Sequence, residues 1–153
     1  MCKHIILSRF GGLGDMVMMS PLLKGIKTLY PDIKLTVVGN TNAKQLMDAY
    51  PFVDEYLTFD KTKKSSWNLI KKLWRSDVVY LMDTLYRVSI IYALACIKKR
   101  VGLPHKRKFW LTDNLEIEPW MNHAFEPVVY AHFLKEATGI DVTTLPNWDT
   151  FVY

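Results

Sequence analysis

Ser8-Arg9-Phe10-Gly11-Gly12-Leu13-Gly14-Asp15 decides the fold of this 153-residue chain. It follows a short apolar run, His4-Ile5-Ile6-Leu7-Ser8, and leads into an apolar-periodic segment. That run is too short and too continuously apolar for a surface helix and suits a strand buried on both faces of a parallel sheet. The stretch therefore reads as the first strand-to-helix turn of an α/β domain. Gly11, Gly12 and Gly14 let the backbone turn sharply and bring N–H groups close to whatever sits above the strand. Asp15 stands where the turn meets the helix. A carboxylate there is stabilised by the helix dipole and free N–H groups, so spacing alone favours a capping role. The sharper reading is a base at the mouth of the crevice where open α/β sheets bind ligands.

Downstream, strands and helices alternate. Met18, Met19, Leu22, Leu23 and Ile26 form one helical stripe between Asp15 and Tyr30, and Pro21 predicts a kink or a late start within it. Ile33–Val38 reads as the second strand, ending at Gly39-Asn40, followed by a short helix from Asn42 to Tyr50 and a third strand at Glu55–Phe59. Ser65 or Ser66 is expected to cap a helix on which Trp67, Ile70, Leu73 and Trp74 share a face and Lys71 and Lys72 fall on the other. Asp77–Met82 is a fourth strand, Leu85–Ile97 a largely buried helix and Lys99–Gly102 a brief fifth strand. Phe109–Leu111 and Leu115–Ile117, separated by Thr112-Asp113-Asn114, predict a hairpin. Pro127–Thr138 is the last helix, stopped by Gly139. The sum is a doubly wound, Rossmann-like parallel sheet of about five main strands with helices on both faces. Residues 1–140 make one domain, and 141–153 a linker or a tail that packs on something else.

With 50% hydrophobic and 23% charged residues, the chain is long enough for one well-buried domain and short for two. Net charge is +5, with clusters at Lys61, Lys63 and Lys64, Lys71 and Lys72, Lys98 to Arg100, and Lys106 to Lys108. These suit an anionic ligand or an anionic membrane surface, although most such runs are solvated faces. No nucleic-acid partner is expected. Cys2 and Cys96 are too few and too isolated for a disulfide framework or a zinc site, which fits a reducing cytoplasm. The apolar start meets Arg9 too soon for a signal peptide, and Val78–Ile97 carries Asp83 and Arg87 near its middle, so neither is expected to enter a membrane.

Several chemistries compete for the glycine-rich turn. A dinucleotide site is disfavoured because Val17 stands at the third position of GxGxxG and Gly39-Asn40 where a ribose-binding acid is expected. A phosphate loop lacks its Gly-Lys-Ser/Thr. A phospho-receiver centred on Asp60 lacks paired acids after the first strand, and Asp60 reads as a turn residue. Arg87, one turn into the helix after the fourth strand, is either a bidentate holder of phosphate or carboxylate or a solvated helix-start arginine. His123, Glu126 and His132 make a weak metal pattern without a third strong ligand, and no metal is expected.

Ile5 to Val17, Ser20-Pro21-Leu22-Leu23-Lys24 and Tyr30-Pro31-Asp32 together resemble the opening of the heptosyltransferase family of bacterial lipopolysaccharide synthesis, glycosyltransferase family 9. Pro51 to Glu55, Lys99 to Leu103 and the segment from His123 to Gly139 continue the likeness in family order. The resemblance implies the N-terminal half of a two-domain GT-B arrangement, in which the first Rossmann-like domain binds the acceptor and the second a nucleotide sugar such as ADP-heptose. Transfer would proceed with inversion and without a metal. Asp15 would be the general base that deprotonates the acceptor hydroxyl, with Gly11, Gly12, Gly14 and Arg87 lining the acceptor site. The acceptor would be an anionic glycan or glycolipid, with peripheral contact to the inner membrane surface. Asp83-Thr84 departs from the glycine common in that family loop, and Tyr153 falls about where the family's linker to the donor domain begins. The chain would then be a fragment, or one completed by a partner chain that supplies the donor domain. Two other readings stay open: a non-catalytic binding module on the same fold, and a free-standing nucleotide-binding domain.

Overall fold

A computed structural model describes residues 4–10, 13–82, 86–102, 110–114, 126–146 and 148, and the backbone alone at 13, 15, 114, 126–128, 137 and 138. The apolar run at the start forms strand β1 (His4–Ser8), whose Ile6, Leu7 and Ser8 are wholly buried. It pairs in parallel on one side with β2 (Lys34–Gly39), from His4 against Lys34 to Ser8 against Val38, and on the other with β4 (Val78–Leu81). Strand β3 (Glu55–Thr58) extends the sheet beyond β2, and β5 (Lys99–Gly102) extends it beyond β4. With the two-residue β6 (Asp113–Asn114) the order is β3-β2-β1-β4-β5-β6, all parallel. The switch in winding direction therefore falls between β1 and β4, where an open α/β sheet has its crevice.

Alternation along the strands divides the core between the sheet's two faces. Ile5, Leu7, Leu35, Val37, Val78, Tyr80 and Val101 point to one face. There they meet α1 (Leu13–Met18), α2 (Ser20–Leu29), α3 (Lys44–Asp48) and α6 (Glu126–Thr138). Ile6, Val38, Val79 and Leu81 point to the other, against α4 (Lys63–Lys72) and α5 (Tyr86–Leu94). Pro21 does what its missing N–H demands: the stripe from Asp15 to Tyr30 breaks at Met19, and Pro21 opens the second helix. Gly139 ends α6 at φ +81°, where its N–H bonds the Lys135 carbonyl at 2.8 Å. Beyond it, a 3-10 turn at Val142–Thr144 packs on α2, with Val142 fully buried. A Cβ on Gly25 would lie 2.8 Å from Val142, so the glycine is what lets this segment approach.

Three expectations are corrected. The α4 cap is Thr62, whose hydroxyl accepts from the Ser65 N–H at 3.1 Å; Ser65 and Ser66 lie inside the helix. The shared face of α4 also divides differently. Leu69 and Leu73 turn into the core, while Trp67 and Trp74 are 62% and 54% exposed. Thr112-Asp113-Asn114 is not a hairpin turn. Thr112 bonds Arg100 through both backbone and hydroxyl, and Asp113 and Asn114 pair in parallel with Val101 and Gly102. The flanking segments 103–109 and 115–120 lie outside the described residues.

Candidate functional site at the carboxyl edge of the sheet

Hydrogen bonds continue past the strand ends and knit the carboxyl edge into one row. The Arg9 N–H donates to the Val38 carbonyl at 3.0 Å, Met82 to Ser8 at 2.8 Å, and Phe59 to Gly39 at 3.2 Å. Four strand ends thus present their following loops side by side. Gly39 is hemmed in: a Cβ there would lie 2.6 Å from the Tyr56 hydroxyl and 2.7 Å from the Arg9 carbonyl. The place after β2 where a dinucleotide fold needs an acid is therefore filled by protein atoms. Tyr56 donates to the Asn40 carbonyl at 2.7 Å, and burial, with the Asp48 charge adding to it, pushes its phenol well above the usual value. It serves as a fixed donor rather than a proton-transfer group.

The floor beneath the first turn is fixed from both faces of the sheet. On one, Tyr92 of α5 donates to the buried Ser8 hydroxyl at 2.7 Å. On the other, Arg9 donates through Nε to the Tyr130 hydroxyl of α6 at 3.0 Å and lies over that ring, 5.8 Å from its centroid. Arg9 also donates to the Phe10 carbonyl at 3.0 Å. These contacts span 84 and 121 residues of chain, so no local spacing in the sequence announces them. They hold the entry to the glycine turn against helices that arrive much later in the chain.

Asp15 falls in the first turn of α1, immediately beyond the β1 edge and beside the switch between β1 and β4. Its side chain, and Gly11 and Gly12, lie outside what is described. Gly14 is exposed, and among the described residues nothing lies within 4 Å of where its Cβ would be. Its φ is not in the left-handed region either. Among the described residues, neither packing nor backbone conformation asks for glycine at this position, and they leave the space above it open.

Arg87 sits in the first turn of α5, at the same edge, and is exposed. Its guanidinium donates to the Lys61 carbonyl at 3.2 Å, so in this structure it leans over the turn between β3 and α4. Asp60 in that turn accepts from the Thr62 hydroxyl at 2.7 Å and N–H at 3.0 Å. Those bonds hold its carboxyl below the ordinary range and give it the turn role expected of it. Asp83 and His123 lie outside the described residues, His132 is half-buried on α6, and among the described residues no three His, Cys, Asp or Glu gather as a metal site would require. No described helix is long and apolar enough to cross a membrane.

No protein-family profile and no curated protein matches the sequence. Solved structures do match the fold. A glycosyl transferase family 9 protein from Veillonella parvula superposes with a TM-score of 0.74 at 19% identity, over 92% of this chain and 42% of its own. ADP-heptose LPS heptosyltransferase II of E. coli gives 0.67 at 18% identity, over 99% of this chain and 46% of its own. E. coli heptosyltransferase WaaC, solved with ADP-2-deoxy-2-fluoro heptose, gives 0.75 at 10% identity, over 94% and 50%. The chain thus spans about half the length of these enzymes, and its α/β fold is theirs over that half.

Proposed function

We propose that this chain is the acceptor-binding half of a heptosyltransferase-like inverting glycosyltransferase, with Asp15 as the general base. The observation that carries the reading is the space that the described residues leave open at Gly14, one residue before Asp15, beside the topological switch of a fold shared with heptosyltransferases. A glycine required by neither φ nor packing leaves room for a ligand to approach the backbone, and the N–H groups of a strand-to-helix turn favour an anionic one.

In this reading Asp15 takes the proton from the acceptor hydroxyl as that oxygen attacks the anomeric carbon. The bond to the nucleoside diphosphate breaks on the opposite side. Arg87 leaves the Lys61 carbonyl to pair with a phosphate or carboxylate of the acceptor, for which a guanidinium fork is suited. The donor, a nucleotide sugar such as ADP-heptose, binds a second domain supplied by further chain or by a partner, and that domain stabilises the leaving diphosphate. The acceptor is an anionic glycan or glycolipid met at the cytoplasmic side of a membrane.

Calorimetry on residues 1–153 tests this division of labour. The expected result is measurable binding of an anionic lipopolysaccharide-core acceptor and no tight binding of ADP-heptose, with transfer appearing once a family-type donor domain is added. Tight binding of the nucleotide sugar by this chain alone would overturn the reading and favour a free-standing nucleotide-binding domain.

A further inference from the structure

The exposed side of α4 and the end of α5 carry an apolar groove unrelated to the carboxyl edge. Trp67, Ile70 and Trp74, at helical spacing, and Leu94 line it together with Lys63 and Ser66, enclosing a volume of about 460 Å³. Trp67, Trp74 and Leu94 are each more than half exposed, at 62%, 54% and 57%. Lys64 and Lys71 flank Trp67 on its other side. Helices α4 and α5 run antiparallel to the strands, so Trp74 and Leu94 lie toward the sheet edge opposite Ser8 and Arg9.

Charge decides what covers this groove. Residues 61–76 hold six basic side chains and no acidic one, and residues 84–112 hold seven basic and no acidic. Among the described residues, Lys63, Lys64 and Lys71 have no ion-pair partner, whereas Lys27, Lys44 and Lys135 elsewhere do. Lysine is depleted in protein interfaces relative to the rest of the surface, whereas here Lys63 lines the groove itself and Lys64 and Lys71 flank Trp67, so these tryptophans and lysines together match that composition poorly. They suit the headgroup layer of an anionic bilayer. There indole rings settle at the boundary of apolar and wet regions, and lysine stems lie along apolar surface while their ammonium groups meet phosphates.

We infer that the Trp67–Trp74–Leu94 groove with its lysine rim docks this protein peripherally on an anionic phospholipid surface. This deepens the membrane side of the function proposed above but stands on the patch alone, and its test involves no sugar chemistry.

The experiment is co-sedimentation of residues 1–153 with vesicles of phosphatidylcholine mixed with phosphatidylglycerol and with vesicles of phosphatidylcholine alone, read also by tryptophan fluorescence. Binding to the mixed vesicles with a blue shift, weakened by salt, and little binding to the neutral ones is expected. Each lysine near such a surface is worth roughly a fivefold gain in partitioning, so Lys63→Gln/Lys64→Gln/Lys71→Gln should lose on the order of a hundredfold. Trp67→Ser/Trp74→Ser should lose both binding and blue shift with an unchanged circular dichroism spectrum. Trp67→Phe/Trp74→Phe should keep binding and lose the shift. Failure to bind anionic vesicles, or binding by the serine variant equal to the parent, would overturn the inference. So would a dimer that depends on Trp67 and Trp74 in a protein that ignores vesicles. Transfer to a delipidated acceptor is read separately, so loss of vesicle binding and loss of the glycosyltransferase reading are distinct results.

Discussion

Helices α2 and α4 are each ten residues long, yet α2 buries Ser20, Pro21, Leu22, Leu23, Gly25 and Ile26, while α4 buries Leu69 alone. The first is clamped on three sides, with β1 and β2 below it, α6 beside it and the Val142–Thr144 turn over Gly25, and only Lys24 and Thr28 exposed. The second rests on the sheet through Leu69 and the following Leu73, and shows its tryptophans and lysines to the outside. The contrast separates two jobs. The α2 side is the rigid backing behind the glycine turn and Asp15, and the α4 side is a surface whose exposed chemistry is free to serve a partner.

The largest effect that tests this contrast is truncation in the clamped helix. Leu23→Ala removes a fully buried side chain between α2 and the sheet and should cost about 2–5 kcal/mol in urea unfolding. Next comes Gly25→Ala, whose new methyl group must push against Val142 Cβ and Cγ1 at 2.8 Å. A loss of roughly 1–3 kcal/mol is expected. An α2 that accepts either change at no cost would not be the rigid backing described.

A third test uses acid. Lys27 at the end of α2 reaches both the Asp54 carboxylate and the Ile33 carbonyl at 2.5 Å, and Asp54 also accepts from the Leu35 N–H at 2.7 Å. Partial burial raises the Asp54 pKa, but these partners more than offset it and leave the group below its ordinary value of 3.8. The folded state therefore binds the proton less readily than the unfolded one. The contribution of the pair is complete above about pH 4 and fades as pH falls through the folded value. The thermal midpoint should fall on acidification in that range, and Lys27→Met should flatten the fall. The smallest effect belongs to α4. Trp67→Ser/Trp74→Ser should shift stability by no more than about 0.5 kcal/mol per site, since neither ring is needed by the core.

Legibility in the sequence follows the same division. Continuous apolar runs placed β1 and β4 within a residue or two, because a strand buried on both faces has no polar alternation to disguise it, and β2 and β5 were placed as closely by the turn residues that bound them. Pro21 and Gly139 marked a helix break and a helix end through their own backbone limits. Thr62 does not stand out as the α4 cap because Thr62, Ser65 and Ser66 crowd the start of that helix, and only the backbone shows which hydroxyl reaches an N–H three residues on. The strand at Asp113–Asn114 carries turn-type residues, and its pairing with Val101 and Gly102 is a non-local choice. Trp67 and Trp74 keep helical spacing whether they face in or out, so periodicity could not tell a core stripe from a docking face. At the candidate site the glycine turn and Asp15 are visible as a motif. The Tyr92 to Ser8 and Arg9 to Tyr130 bonds that hold its base are visible only in three dimensions.

The most direct measurement is the rate of sugar transfer from ADP-heptose to an anionic acceptor by this chain completed with a donor domain, for the parent and for Asp15→Ala, with folding verified for both. Loss of a general base should lower turnover on the order of 10²–10⁴-fold while stability changes by roughly 1 kcal/mol or less. Near-normal turnover by a folded Asp15→Ala protein would contradict the account and leave Asp15 as a first-turn acid that only complements the α1 dipole.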